Sequence, residues 1–456
     1  MNHPIRPTGV HSPANHRLVL VCAALWSLSL ITPLASAALN VSPIFGSNMV
    51  LQRNMPVPVF GTADPGAQVT VTYNGQTVSA TAAANGAWQL NLAAMAARST
   101  PDTLSVLGGG ASAAFTGVQV GEVWLCSGQS NMGKPLSYAA DSASYIASAA
   151  NHNIRLFRMT AGNGPATSSW TVSNSTTAAD FSAVGYWMGL DLSYALNVPI
   201  GLIQATHDGT SIDHWEHTDG GIGDDYDAMV KAIQPFAVRG VAWYQGESNG
   251  GDAAYQTKLT DMIAEWRTDW QLSSLPFGIV QLPAQKWTTA RLAQFNVTRN
   301  VANTFLVVTH DLPGGSMLHP TAKYLVGIRC SIGARGAVYG ENIVYAGPVP
   351  ANPPATFVSG TSVTIKYLNA GSGLFTGNGA APAPYAVIAG GRAMTATGTI
   401  TSADTVQLAT SSAGITRVQF ALSGLGNVFN RVLIPTEGGA KSVDRLPASL
   451  FDLTVQ

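Results

Sequence analysis

The sequence predicts an α/β domain built on a parallel sheet and set between two β-rich segments, and three features point to it. Apolar runs near residues 119–126, 153–159, 198–205, 238–245, 276–282 and 304–309 alternate with longer helix-like segments at 178–196, 253–270 and 320–337, the rhythm of βαβ units. Uninterrupted apolar strands such as Val241-Ala242-Trp243-Tyr244 suit a sheet covered on both faces. Before and after this region the texture changes to short alternating runs and glycine turns. A chain of 456 residues leads one to expect two or three domains, each able to bury its own core.

Taken in order, residues 1–37 read as a secretory signal peptide. They hold Arg6 and Arg17 but no acidic residue, then the apolar run Leu18 to Ile31 and the small-x-small tripeptide Ala35-Ser36-Ala37, after which cleavage is expected. That run falls short of the ~20 residues that span a bilayer, so a periplasmic or secreted product, free of the membrane after cleavage, is expected. Residues 38–117 read as a β-sandwich. Pro56 to Phe60 suits only an edge strand, Gln68 to Tyr73 and Gln76 to Val78 flank an Asn74-Gly75 hairpin turn, and Asn85-Gly86 precedes the strand Trp88 to Leu92. Residues 118–345 form the α/β domain, whose ligands should sit beyond the carboxyl ends of the strands. The proline-rich stretch 348–354 marks the next boundary. Strand-like runs at 362–367 and 405–408 make 346–456 a C-terminal β-rich region.

A formal net charge of −1 with only 10% charged residues excludes a basic nucleic-acid binder. Of three cysteines one, Cys22, lies in the leader, and two more make no disulfide framework. Cys126, inside the run Val123 to Cys126, reads as a buried small hydrophobe, with a single bridge to Cys330 as the alternative.

Three strand ends carry chemistry. The first runs Gly121-Glu122-Val123-Trp124-Leu125-Cys126-Ser127-Gly128-Gln129-Ser130-Asn131-Met132, a serine on a tight glycine turn between strand and helix. Such a turn exposes a nucleophile and offers helix N–H groups to an oxyanion, although an N-capping serine would look the same. The second, Trp243-Tyr244-Gln245-Gly246-Glu247-Ser248-Asn249, gathers two amides and a carboxylate where a buried sheet expels polar groups. The third places Asp311 and then His319-Pro320 after a strand. His207, His214 and His217, with Asp213 and Glu216, have spacings that suit one helical face, but they match no metal-ligand motif, and a polar rim for sugar contact is the preferred reading. Trp215, Trp243 and Tyr244 read first as packing residues, Trp215 being the one placed to line a cleft.

Together these blocks resemble the sialate O-acetylesterase family of SGNH-type carbohydrate esterases over nearly the whole mature chain. Gly121 to Met132 is similar to the family's nucleophile block, Trp243 to Asn249 to its central block, and His319-Pro320-x-x-Lys323 to its histidine block. Met49-Val50-Leu51-Gln52-Arg53 resembles its leading β-domain, and Leu446-Pro447-Ala448 near Phe451 its terminal one. The resemblance implies an SGNH-hydrolase-like three-layer domain that removes O-acetyl groups from glycans, with Ser130 as nucleophile, His319 as base, and neither metal nor organic cofactor. For the oxyanion it implies the Ser130 N–H, the Gly209 N–H and a side-chain amide, Gln245 ahead of Asn249. Two departures stand out. The family's carboxylate positions before the histidine hold Ser316 and Met317, which leaves Glu247 as first choice for the acid, Asp311 as second, and a Ser-His dyad as third. His207-Asp208-Gly209 stands where the family has Trp-Gly-Gly. A non-catalytic glycan-binding protein that keeps the fold is the competing reading, but it has no use for an aligned nucleophile and base.

Overall fold

The computed structural model describes residues 39–159, 169–217, 222–283, 286–314, 317–351, 356–422 and 424–455. The expected signal peptide lies outside them.

Seven strands make the sheet that positions the site, in the spatial order Trp170–Val172, Ile154–Arg158, Ile200–Thr206, Ala111–Gly128, Gly240–Tyr244, Phe277–Val280, Thr304–Val307. All neighbours are parallel except the Trp170–Val172 edge, which runs antiparallel. Every expected apolar run is a strand of this sheet. Gly240–Tyr244 and Phe277–Val280 are buried along their whole length, as strands covered on both faces must be. Helices Ala183–Leu196 and Tyr324–Ala337 pack together, as do Tyr255–Asp269 and Thr288–Asn300. The last of these is not foreseen from the sequence: it buries Arg291 and Gln294 with its apolar residues, which blurs the helical period. Among the described residues no helix is long and apolar enough to cross a membrane.

Upstream, Gln68–Tyr73 and Gln76–Thr81 form the expected hairpin, with Asn74 and Gly75 both at positive φ. Val57–Thr62 pairs along its length with Ala87–Leu92, whereas Asn40–Val41 reaches only Gly61 and Thr62, so Pro58 faces an open edge. Ala111–Gly128 begins in this β region, paired with Arg98–Gly108, and continues unbroken into the central sheet across the expected 117/118 boundary. The Gln52-Arg53 segment lies against it: Arg53 and Arg239 clamp the buried Glu122 carboxylate at 2.6 and 2.8 Å, and Gln52 donates to it at 2.9 Å.

Downstream, Ser362–Leu368 and Thr405–Ala409 pair within a larger antiparallel sheet whose core includes Tyr367, Tyr385, Phe420 and Phe451. A three-stranded sheet packs Ile434, Val443 and Leu446 onto Ile328 and Ile332 of the Tyr324–Ala337 helix. Cys126 and Cys330 are both buried free thiols, so the alternative of a bridge is set aside and Cys126 serves as packing.

Candidate active site

The strand Ala111–Gly128 has Ile200–Thr206 on one side and Gly240–Tyr244 on the other, and the loops beyond these three carboxyl ends hold Ser130, Gly209 and Glu247. Chain order reverses here, which opens a crevice at the sheet's edge. The nucleophile turn depends on Gly128. Its φ is +127°, and a Cβ there would lie 2.3 Å from the Tyr244 carbonyl oxygen, so no other residue lets the chain double back against the neighbouring strand.

Beyond the turn, Ser130 is the first residue of a single helical turn, Ser130–Gly133. Its Oγ is 2.8 Å from His319 Nε2. His319 is carried by the loop after Thr304–Val307 and held through its carbonyl, which accepts from the Tyr138 hydroxyl at 2.7 Å. Among the described residues, neither the Ser130 N–H nor the Gly209 N–H has an acceptor. Two free donors beside a serine–histidine pair are what a developing oxyanion requires.

The expected side-chain donor is not there. Gln245 is wholly buried, and its amide nitrogen already donates to the Thr210 carbonyl (3.1 Å) and Asn249 Oδ1 (2.8 Å). Asn249 in turn accepts from the Ile212 N–H at 2.8 Å and donates to Asp252 at 3.3 Å. Both amides stitch the loops together beneath the site, and neither is among the residues that line the cleft.

Glu247 lies beside the pair without touching His319. Its Oε1 accepts from Asn131 Nδ2, and the Gln129 amide, oriented by its partners, donates to Oε2 at 3.2 Å. Asn131 also donates to the Leu318 carbonyl at 2.9 Å and accepts from the buried Lys323 ammonium through Oδ1. One side chain thus ties the nucleophile turn, the Gln245-Gly246-Glu247 loop and the histidine loop together. Burial raises the Glu247 carboxyl and pulls Lys323 down to about 7. Among the described residues no carboxylate bonds to His319; Met317, in one of the usual acid positions, is half exposed. Ser316, in the other, lies outside the described residues.

Asp311, the second choice for the acid, is committed elsewhere. It takes a bidentate grip from Arg329, both contacts at 2.7 Å, which holds its carboxyl below the usual range despite burial. Asp311→Asn should therefore act on stability rather than chemistry. It leaves a buried guanidinium without its anion, an expected loss of ~3 kcal/mol of unfolding free energy in denaturant titration, with kcat within a few-fold of wild type.

The three histidines do not share a helical face, because beyond the short turn Ile212–His214 the chain is irregular. His207 bonds to Asp225 at 2.8 Å, His214 to Asp224 at 2.6 Å and His217 to Asp269 at 3.2 Å. Asp213 pairs with Lys258 at 2.7 Å, and Glu216 is buried. His214, Asp224 and Asp225 do bring ligand-type atoms within 4.8 Å of one another, a different grouping from the expected one. Trp215 does not line a cleft; it is fully buried against Trp243.

The cleft itself, about 330 Å³, is lined by Gln129, Ser130, Asp208, Gly209, Glu247, Ser248, Trp287, Leu318 and His319. Trp287, absent from the sequence-based expectations, is a non-glycine residue in the left-handed region at φ +61°. That conformation costs roughly 1–2 kcal/mol for a residue with a Cβ. A cavity of about 430 Å³ around Arg239, Gln271 and Pro276 opens at the amino ends of the strands, away from Ser130 and His319.

Residues 120–329 match the family described as carbohydrate esterase, sialic acid-specific acetylesterase. The sialate O-acetylesterase of Homo sapiens is 27% identical over 410 residues, covering 71% of this chain and 77% of that protein. The Mus musculus enzyme is 27% identical over 408 residues, covering 66% and 74%. Among solved structures, a carbohydrate acetylesterase from Xanthomonas citri superposes with a TM-score of 0.79 at 29% identity, over 91% of this chain and all of that one. With the nucleophile, central and histidine blocks converging on one cleft, the chain is similar to the sialate O-acetylesterases over its central region and is a carbohydrate O-acetylesterase.

Proposed function

We propose that the chain hydrolyses O-acetyl esters of carbohydrates, on sialic acid or on plant-type glycans, as a serine esterase with an acetyl-Ser130 intermediate. The observation that carries this reading is the 2.8 Å contact of Ser130 Oγ with His319 Nε2 beside two N–H groups that have no acceptor among the described residues. Ser130 Oγ bonds to the acetyl carbonyl carbon while its proton passes to His319 Nε2, and the Ser130 and Gly209 N–H groups receive the oxyanion. Collapse breaks the bond to the sugar oxygen, which leaves with the proton from Nε2. Water, deprotonated by the same nitrogen, then releases acetate and restores the serine. Glu247 acts at one remove: through Asn131 it fixes the Leu318 carbonyl and hence the aim of the next residue, His319. The flanking segments 38–117 and 346–456 support the catalytic region 118–345, and residues 1–37 direct the chain to the periplasm or out of the cell.

Acetate release from a panel of O-acetylated glycans, with Ser130→Ala as the blank, tests the reading. Release that depends on Ser130 supports it; glycan binding without release returns the chain to the non-catalytic reading. The pH profile adds an independent check. Burial, with Lys134 and Lys323 nearby, lowers His319 below its ordinary 6.5, and only the neutral imidazole can take the serine proton. The acid limb of kcat/KM should therefore fall below pH 6.5; a limb above pH 7 would contradict this assignment of the base.

A further inference from the structure

The geometry points to Trp287 as the stacking platform for an uncharged pyranose ring of the substrate, an inference that rests on the carbohydrate reading above and narrows it. Trp287 lines the cleft that holds Ser130 and His319. Its ring is seated by an absence: a Cβ on Gly250 would fall 1.9 Å from Trp287 Cδ1 and 2.9 Å from its Nε1, so the glycine leaves the notch into which the indole edge fits. The backbone is held at φ +61° and ψ +33° just where the Thr288–Asn300 helix begins, a conformation a bulky residue adopts only when its surroundings impose it. The indole is half-buried. A flat apolar face matches a pyranose ring, which offers axial C–H groups to it. Leu318, 52% exposed, adds apolar surface to the same cleft.

Charge decides which ring. The cleft presents the Asp208 carboxylate, 63% exposed and paired with Lys134 at 3.3 Å, while the Lys323 ammonium is buried on Asn131. Glu247 adds a second carboxyl, and no arginine lines the cleft. A ring bearing its own carboxylate meets like charge here, with neither lysine nor arginine among the lining residues, whereas a neutral ring meets none.

The experiment compares kcat/KM for wild type, Trp287→Ala and Trp287→Phe on three acetyl esters: glucose pentaacetate, 9-O-acetyl-N-acetylneuraminic acid, and ethyl acetate, which has no ring to stack. Trp287→Ala is expected to lower the ratio of glucose pentaacetate to ethyl acetate efficiency by about 10-fold, carried mainly in KM, the scale of one aromatic stacking contact. Trp287→Phe, which keeps a flat ring, should restore that ratio to within about 3-fold of wild type. Wild type should favour glucose pentaacetate over the acidic ester. An unchanged ratio in Trp287→Ala, or a Phe variant no better than Ala, overturns the platform while leaving the esterase reading intact. Preference for the acidic ester overturns the claim of a neutral ring. If wild type cleaves ethyl acetate but neither sugar ester, the carbohydrate reading falls and the platform with it.

Discussion

Ser130→Ala is expected to lower kcat by at least ~10⁴-fold on any acetyl ester while leaving the fold in place, because removing the nucleophile of a serine–histidine pair costs nearly all of its catalysis. What remains is the contribution of the Ser130 and Gly209 N–H groups and of binding, which the substitution does not touch. Stability should change by no more than ~1 kcal/mol, since among the described residues Ser130 Oγ has His319 as its only hydrogen-bond partner and the imidazole is partly open to solvent. Turnover of an aryl acetate, with a thermal melt on the same preparation, checks both halves. Activity near wild type in a folded variant would remove Ser130 from the mechanism.

The second large effect is expected at Glu247→Gln, about 10²-fold in kcat with KM little changed, the scale at which an ångström of misalignment is felt. Both Glu247 oxygens accept, one from Asn131 and one from Gln129. A glutamine can offer an oxygen to only one of them, so the other is left facing an amide nitrogen. Asn131 is then free to turn, and with it the Leu318 carbonyl and His319. The pH profile separates this from a direct acid. If Glu247 stabilised the imidazolium itself, losing its charge would drop the acid limb by about one unit or more. Acting through Asn131, it should leave the limb in place or raise it, because Lys323, deprived of its counter-ion, sheds a proton and stops opposing the charge on His319. A variant within a few-fold of wild type would mean that Ser130 and His319 need no such support.

What could be read from the chain alone follows from what strand ends have in common. A parallel sheet buries its strands and expels polar residues at their carboxyl termini, so Ser130, Glu247 and Gly209 announce themselves by sitting directly after apolar runs. His319 was legible through its Pro320 and Lys323 neighbours. Side-chain direction was not. Gln245 and Asn249 look like Glu247 in sequence, yet they turn under the loops and Glu247 turns up into the cleft, a difference set by partners such as Thr210 and Ile212 that are distant in the chain. The same holds for the tryptophans: Trp215 and Trp287 carry no local mark that one is core and the other rim, because Gly250 seats the ring of Trp287 from 37 residues away. Asn131 and Lys323 stood inside the recognised blocks, but their bond to each other, across 192 residues, is a property of the assembled loops.

The unbroken strand Ala111–Gly128 bears on how this architecture can be inherited. One covalent rod begins in the leading β region and ends two residues before Ser130, and Arg53 and Gln52 close on Glu122 near its middle. Modules that shuffle between proteins are joined by slack chain, which tolerates a cut. Here the seam runs through a hydrogen-bonded strand. A gene fragment beginning at residue 118 would take away Arg53, one of the two arginines that clamp the buried Glu122, and sever the strand that aims the nucleophile. The leading β segment and the catalytic sheet must therefore be passed on, duplicated or lost as one piece, even though in sequence they look like two.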